Sequence, residues 1–434
     1  MAVSRAQQTR RRRPARNRVG WMRCAHAVAL LVAVAGVFSQ VVRPLAPPLG
    51  PLAPVTEWFD AAYLDAAAAF RRPLRAVSVA ALCVRVALPW LVVLTPAGRD
   101  LTDRLVSKIG QHRPVRAGVA VAVAIVVLTD LVLAPVAFWS GYVHEGVWDL
   151  RTQGLAGWLV DWAVAHGLRW AGVAVLTAGG VALARRAPRS WPPVAGLAAS
   201  ILAGLLLLSG PLLLEPLRFR TTPLPDGPVR QEVERVLDQA GERIDRLVVA
   251  DASRRTKRTN AYVSGLGPTR RVVLYDTLVE TRPPDEVGLI LAHELAHDLH
   301  RDLLRAVLFG ASGLIAGAYV LGWVLRRRTS GPGGVRPVAA TDVPLALAVA
   351  VTLLTLSLPL QALVSRRAEA AADHTALALT DDPTTYERMM VNLARDNLAQ
   401  PDPPAWSRLL WGTHPSARQR LTRGARWPDV GGAG

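Results

Sequence analysis

Seven stretches of the chain, roughly 24–42, 76–96, 117–139, 168–184, 192–214, 304–325 and 343–364, are apolar and mostly long enough to cross a bilayer. The hydrocarbon core they must span is about 30 Å thick. In lipid every backbone N–H and C=O has to be satisfied inside the segment, which leaves helices for runs of this kind. The expectation is a mainly α-helical polytopic membrane protein with about seven transmembrane helices. Composition agrees, with 51% of residues hydrophobic and 19% charged. The fourth stretch is the weakest, being short and interrupted by Gly179-Gly180. Arg85 in the second and Asp130 in the third are costly in lipid. They are expected to face a bundle interior or cavity, as a buried structural pair or with a direct role.

The net charge of +18 does not point to nucleic acid, because the basic residues gather at span ends. Segments 1–23, 97–116, 185–191 and 326–342 carry eight, five, three and four Lys and Arg, whereas 43–75 and 140–169 carry four and two. By the positive-inside rule the N-terminus is cytoplasmic. With seven crossings, 215–303 and 365–434 then face outward. The basic leader (Arg10 to Arg13, Arg16, Arg18) precedes a long apolar run with no small-residue cleavage site, which reads as an anchor and not a cleaved signal. Cys24 and Cys83, the two cysteines of the sequence, suggest neither a disulfide framework nor a cysteine metal site.

The chain divides into a basic tail (1–23), a five-span region (24–214), a polar region (215–303), two further spans (304–364), a C-terminal helical region (365–423) and a tail (424–434). Both extremes, 1–18 and 424–434, read as disordered, and 326–342 as a flexible loop. In the polar region, 231–240 has helical periodicity, with Val233, Val236 and Leu237 on one face. Residues 246–250, 260–264 and 271–275 read as strands, the last two joined by a turn at 265–269. Pro283 and Pro284 mark a helix start that leads toward the sixth span.

That helix carries His293-Glu294-Leu295-Ala296-His297. Histidines four apart put both imidazoles on one helix face, one turn from each other. Two such histidines are ligands for a catalytic zinc, and Glu294 beside them is placed to take a proton from the attacking water. The bland reading is a helix whose histidines are merely packed or solvated.

A catalytic zinc needs a third protein ligand. The seventh span runs without a break into Ser365-Arg366-Arg367-Ala368-Glu369-Ala370-Ala371-Ala372-Asp373, where Glu369 and Asp373 share a face. Glu369 can be the third ligand, and Asp373 can accept the free ring N–H of a ligating histidine. The alternative makes both carboxylates ion-pair partners of Arg366 or Arg367. His300, three residues past His297, faces partly away and is unassigned. Trp139, Tyr142 and Trp148 read as an interfacial aromatic belt.

These residues together resemble the M48 family of integral-membrane zinc metallopeptidases, which includes Ste24-type CAAX prenyl proteases and HtpX-type quality-control proteases. Seven spans favour the Ste24-like branch. The resemblance is carried by His293-Glu294-x-x-His297, then two spans, then Ser365-Arg366-x-x-Glu369-x-x-x-Asp373. It implies a small α+β zincin-like metallopeptidase domain holding one Zn²⁺. Asn260-Ala261-Tyr262 resembles the family's edge strand, which pairs with substrate backbone; the alternative is an ordinary sheet strand. Asp302 falls where an acidic residue often follows the zinc helix. Thr413-His414-Pro415-Ser416 with Arg420 and Leu421 resembles the family's C-terminal histidine-proline-arginine motif. Either His414 or Arg420 could supply the oxyanion donor; the resemblance implies His414 for that task and Arg420 as a structural clamp on a carboxylate, against a plain surface histidine before a helix start. The segment around Tyr142, Glu145, Thr152 and Gln153 resembles the Ste24 pattern only loosely. The resemblance is strong over about 246–421 and weak over the first five spans.

The sequence thus leads to a membrane-embedded zinc metalloendopeptidase acting on protein or peptide substrates that are membrane-associated or hydrophobic. Its partners are those substrates and the lipid bilayer. Two rivals stand beside a processor of a defined C-terminus, lipidated or not: an HtpX-like quality-control protease, and a non-catalytic metal-binding membrane scaffold.

Overall fold

The computed structural model describes residues 14–213, 215–265, 269–332 and 334–427. Helices α1 (Pro14–Val41) and α2 (Ala61–Leu94) precede a short amphipathic helix, α3 (Pro96–Ile109). Helix α4 (Pro114–Phe138) widens through a π turn at Trp139–His144 into α5 (Glu145–Val147), and α6 (Leu155–Arg186) and α7 (Trp191–Leu213) follow. The polar region holds β1 (Thr221–Pro223), α8 (Pro228–Gln239), β2 (Arg246–Ala250), β3 (Ala261–Ser264), β4 (Arg271–Tyr275), α9 (Asp276–Thr281) and α10 (Pro284–Leu299). Then come α11 (Asp302–Thr329), the hairpin β5 (Ser330–Gly331) and β6 (Gly334–Val335), α12 (Val343–Thr380), α13 (Pro383–Asp396), α14 (Ala405–Trp411) and α15 (Ala417–Ala425). Among the described residues, seven helices are long and apolar enough to cross a membrane. The protein is a mainly α-helical multi-pass membrane protein with a small α+β region.

Several of these helices outrun the apolar stretches that announce them. Helix α2 has 34 residues, about 51 Å at 1.5 Å per residue. It therefore projects well beyond the hydrocarbon and carries Arg71 into the polar region. Helix α6 is continuous over 32 residues despite Gly179-Gly180. A glycine costs a helix about 1 kcal/mol, less than breaking backbone hydrogen bonds in lipid. The buried acid Asp130 does not pair with Arg85, which is exposed on α2. Its partners come from α6: the Arg169 guanidinium, and Trp170 Nε1, which donates to Oδ2 at 2.8 Å.

Alternate connections gather at one end of the bundle. Arg43 reaches Asp302, Arg258 reaches Glu145, Arg71 Nε donates to Leu398 O at 3.0 Å, and Lys257 N to Leu150 O at 3.0 Å. The other end packs α3 against residues around Ala340 and Val343, with Arg185 donating to Val338 O at 2.8 Å. The aromatic residues expected as a belt pack on their neighbours: Trp139 on His144, Tyr142 on Phe138, and Trp148 edge-on to Phe70.

At the first end the four-stranded sheet has the order β1-β2-β4-β3, with β2 and β4 parallel and the outer pairs antiparallel. Strand β3 is an edge. One core, including Val233, Leu237, Leu274, Leu289, Leu295, Leu377, Tyr386 and Leu421, joins the sheet to α8, α10, α12, α13 and α15.

Four expectations need correction. The loop at 326–342 is built: β5 pairs with β6, and Arg336 forks Asp342 at 2.7 Å on both oxygens. Residues 424–427, read as tail, are ordered, and Trp427 is buried with its Nε1 donating to Asp381 Oδ1 at 2.9 Å. Residues 14–18 of the N-terminal tail are helical; 1–13, 266–268, 333 and 428–434 lie outside the described residues. Helix α10 also does not continue into the sixth span. It stops at Leu299, Arg301 takes a left-handed conformation (φ 54°) with its N–H on Asp298 O, and α11 begins at Asp302.

Candidate metal centre

Helix α10 starts with Pro284 at its first turn and Asp285 and Glu286 behind it, acids that suit the positive end of a helix dipole. Glu286 is buried and held by Arg388 Nε at 2.9 Å and Asn392 Nδ2 at 2.8 Å. These bonds tie α10 to α13. Residues from Glu286 to His293 are all buried, so α10 is anchored in the core up to its first histidine.

Across from α10, α12 brings Glu369 over the histidine pair. Donor atoms of His293, His297 and Glu369 lie within 4.8 Å of one another. Glu369 Oε2 is 3.3 Å from His293 Nε2, and Oε1 is 3.6 Å from His297 Nε2. The other ring nitrogens are engaged outside this cluster: His293 Nδ1 faces Asp373 Oδ1 at 3.0 Å, and His297 Nδ1 bonds Asp302 Oδ2 at 2.9 Å. Each imidazole thereby has one nitrogen fixed by a carboxylate and the other turned toward the shared space, the arrangement metal-ligating histidines adopt. Glu369 Oε2 is buried without a hydrogen bond of good geometry, and a cation there satisfies it. The donor set fits a divalent metal.

The alternative partners of the carboxylates are not used. Arg366 donates to Arg408 O and Gly412 O, both at 2.7 Å. Asp373, fully buried, is gripped by Arg420, whose Nε donates to Oδ2 at 2.9 Å and Oδ1 at 3.1 Å. A capping box at Ser416 and Gln419 starts α15 and sets Arg420 one turn in. His414, just before it, brings Nε2 to 3.2 Å from Glu369 Oε2, while its Nδ1 meets Thr413 Oγ1 at 3.0 Å. His300 stays out of the cluster, with Nε2 at 3.1 Å from Thr375 Oγ1.

A cavity of about 440 Å³ opens on this cluster, lined by Asn260, Ala261, His293, Glu294, His414 and Arg420. Burial pushes the Glu294 carboxyl above the usual carboxylate range, opposed by the neighbouring His293 and His297. The site residues named from the sequence therefore converge on one place. Others had no legible signal: Met389, Met390 and Leu393 form an apolar wall, Arg71 and Arg258 close one end, and Arg43 contacts Asp302 from the end of α1.

Known proteins share this plan. The sequence profile described as Peptidase family M48 matches residues 223–427. The protease HtpX homologue of Acidiphilium cryptum (strain JF-5) is 30% identical over 218 residues, covering 44% of this chain and 71% of that relative. The chain belongs to peptidase family M48. An uncharacterised metalloprotease of Bacillus subtilis, YhfN, is 27% identical to this M48 peptidase over 307 residues, 68% of this chain and 70% of the relative. The crystal structure of S. mikatae Ste24p superposes with a TM-score of 0.72 at 20% identity, covering 93% of this chain and 98% of that one. The membrane helices of this metalloprotease therefore share one fold with Ste24p, beyond the matched peptidase region.

Proposed function

We propose that the protein is a zinc-dependent metalloendopeptidase that cuts membrane-associated or hydrophobic protein segments. The observation that carries this reading is the convergence of His293, His297 and Glu369 on one point, in a cavity whose wall also holds Glu294 and the edge strand β3. His293, His297 and Glu369 would hold the zinc, with Asp373 and Asp302 fixing the two imidazoles and Arg420 clamping Asp373. Zinc held there supplies a Lewis acid for the scissile carbonyl and makes water acidic enough to attack near neutral pH. Glu294 takes the proton of the attacking water and passes it to the leaving nitrogen. His414 Nε2 donates to the carbonyl oxygen as that atom gains charge. Asn260 and Ala261 lead into an edge whose free backbone groups can hold an extended peptide by main-chain hydrogen bonds.

The test replaces Glu294 by Gln and Glu369 by Ala in the full-length protein. Glu294→Gln is expected to keep zinc and lose cleavage of a fluorogenic peptide by about 10²-fold or more, whereas Glu369→Ala loses zinc. Turnover by Glu294→Gln protein free of wild type defeats the mechanism.

A quality-control role is the second reading, supported by the similarity to a protease HtpX homologue. Substrates trapped by Glu294→Gln in membranes and identified by mass spectrometry separate the two: a single recurring C-terminus supports processing, and many unrelated membrane proteins support quality control. For sidedness, the basic segments at one end of the bundle support a cytoplasmic N-terminus with the catalytic region outside.

A further inference from the structure

Arg43 follows directly on the first membrane helix, yet its side chain is only 3% exposed. Its NH2 lies 3.1 Å from Asp302 Oδ1, and the other oxygen of Asp302 is the one that meets His297 Nδ1 at 2.9 Å. The arrangement parallels, on the opposite flank of the cluster, the run from Arg420 through Asp373 to His293, with Arg420 hydrogen-bonded to its carboxylate and Arg43 meeting Asp302 as an ion pair without a well-formed hydrogen bond. Each histidine is thus backed by a carboxylate, and each carboxylate by a guanidinium.

Two further facts separate Arg43 from an ordinary ion-pair partner. Its Nε and NH1 are buried with no hydrogen-bond partner, so the chain tolerates a poorly satisfied buried cation at this position. An apolar side chain of similar size would pack there at lower cost. What it cannot supply is a guanidinium that holds the Asp302 carboxylate in one orientation. The second fact is rigidity. Helix α1 lies so close to α11 that a Cβ on Gly36 would fall 2.0 Å from Ser312 Oγ and 2.2 Å from Leu308 O. Ser312 Oγ also donates to Ala33 O at 2.9 Å, and Gln40 Nε2 to Arg305 O at 3.2 Å. The Arg305 guanidinium joins Ser39 O to His300 O, just before the left-handed turn at Arg301 that delivers Asp302. Arg43 is therefore presented from a fixed base.

We propose that Arg43 is a positioning residue of the metal centre: through Asp302 it fixes the imidazole of His297, making the end of the first membrane helix part of the catalytic apparatus. This rests on the reading of His293, His297 and Glu369 as metal ligands.

The experiment measures zinc retention by purified full-length protein against a competing chelator, and the visible absorption of the cobalt(II)-loaded form, since zinc itself is spectroscopically silent. Removing an outer partner of this kind typically costs about 10–100-fold in metal affinity. Arg43→Met is expected to show a loss in that range and a changed cobalt band, with Arg43→Lys recovering most of both. His26→Ala, which removes an exposed contact of the same helix with Tyr319, away from the base that presents Arg43, is expected to stay within about twofold of wild type. If Arg43→Met does not accumulate, Arg43→Gln carries the same expectation. Zinc affinity within about twofold of wild type and an unchanged cobalt spectrum in either folded variant overturn the proposal, as does an equal loss in His26→Ala. Wild-type protein that binds no zinc overturns the metal reading itself, a failure visible before any variant is made.

Discussion

Arg420 and Asp373 form a buried fork, with one guanidinium nitrogen shared between both carboxylate oxygens at 2.9 and 3.1 Å. Asp373 has no water to fall back on, so the pair cannot be broken cheaply from one side. Removing one member of a buried pair costs about 3–5 kcal/mol. Arg420→Met is therefore expected to lower the thermal midpoint sharply and to release metal at chelator concentrations the wild type withstands. A stable, fully metallated Arg420→Met protein would show that Asp373 is held by something else.

His414 stands apart from this framework. Its side chain is 56% exposed within the cleft, and its polar partners among the described residues are Thr413 and Glu369. Its removal should leave stability nearly unchanged. Loss of an oxyanion donor costs about 10²–10³ in kcat, so His414→Ala is expected to lose kcat with little change in KM. Steady-state kinetics on one peptide decide it: a change confined to KM places His414 in ground-state binding.

Inside the membrane, Asp130 pairs with Arg169 and Trp170. Asp130→Leu leaves the Arg169 charge without its carboxylate and is expected to destabilise the protein in detergent. Asp130→Leu combined with Arg169→Leu should recover much of the loss, because the two sites share one interaction. Additive losses in thermal midpoint would mean that the pair is not coupled.

Sidedness can be read by labelling. With Cys24 and Cys83 replaced by Ser, a cysteine at Pro332 in the β5–β6 turn and one at Asp402 lie at opposite ends of the bundle. A membrane-impermeant maleimide added to intact cells is expected to label the cysteine at 402 and spare the one at 332. The reverse pattern would place the catalytic region in the cytoplasm.

Strands β2 and β4 occupy the residues their β-branched, apolar runs indicate, 246–250 and 271–275, because they are the two inner strands of the sheet and bury apolar residues there. The seven membrane helices were legible for a similar reason: lipid leaves long apolar runs one solution. Strand β1 was not, since Thr-Thr-Pro is short and fully exposed, and it exists through its pairing with β2. The break between α10 and α11 was hidden because Arg301 has no marked left-handed preference; local propensity does not ask for that turn. What favours it is tertiary, the return of Asp302 to His297. Arg43 had no local signature either, its role being defined only by a contact 259 residues away along the chain.

The position of β3 at the edge of the sheet has a consequence for what can be cut. Its outward N–H and C=O groups match a partner in extended form, and a helix offers them nothing, its own backbone groups being already paired. Under the proposed function, with β3 holding the substrate, a membrane-spanning segment would first have to come apart over several residues. Susceptibility would then follow the ease of local unwinding, so that frayed, glycine-rich or proline-interrupted segments become vulnerable while intact helices of the same composition pass untouched.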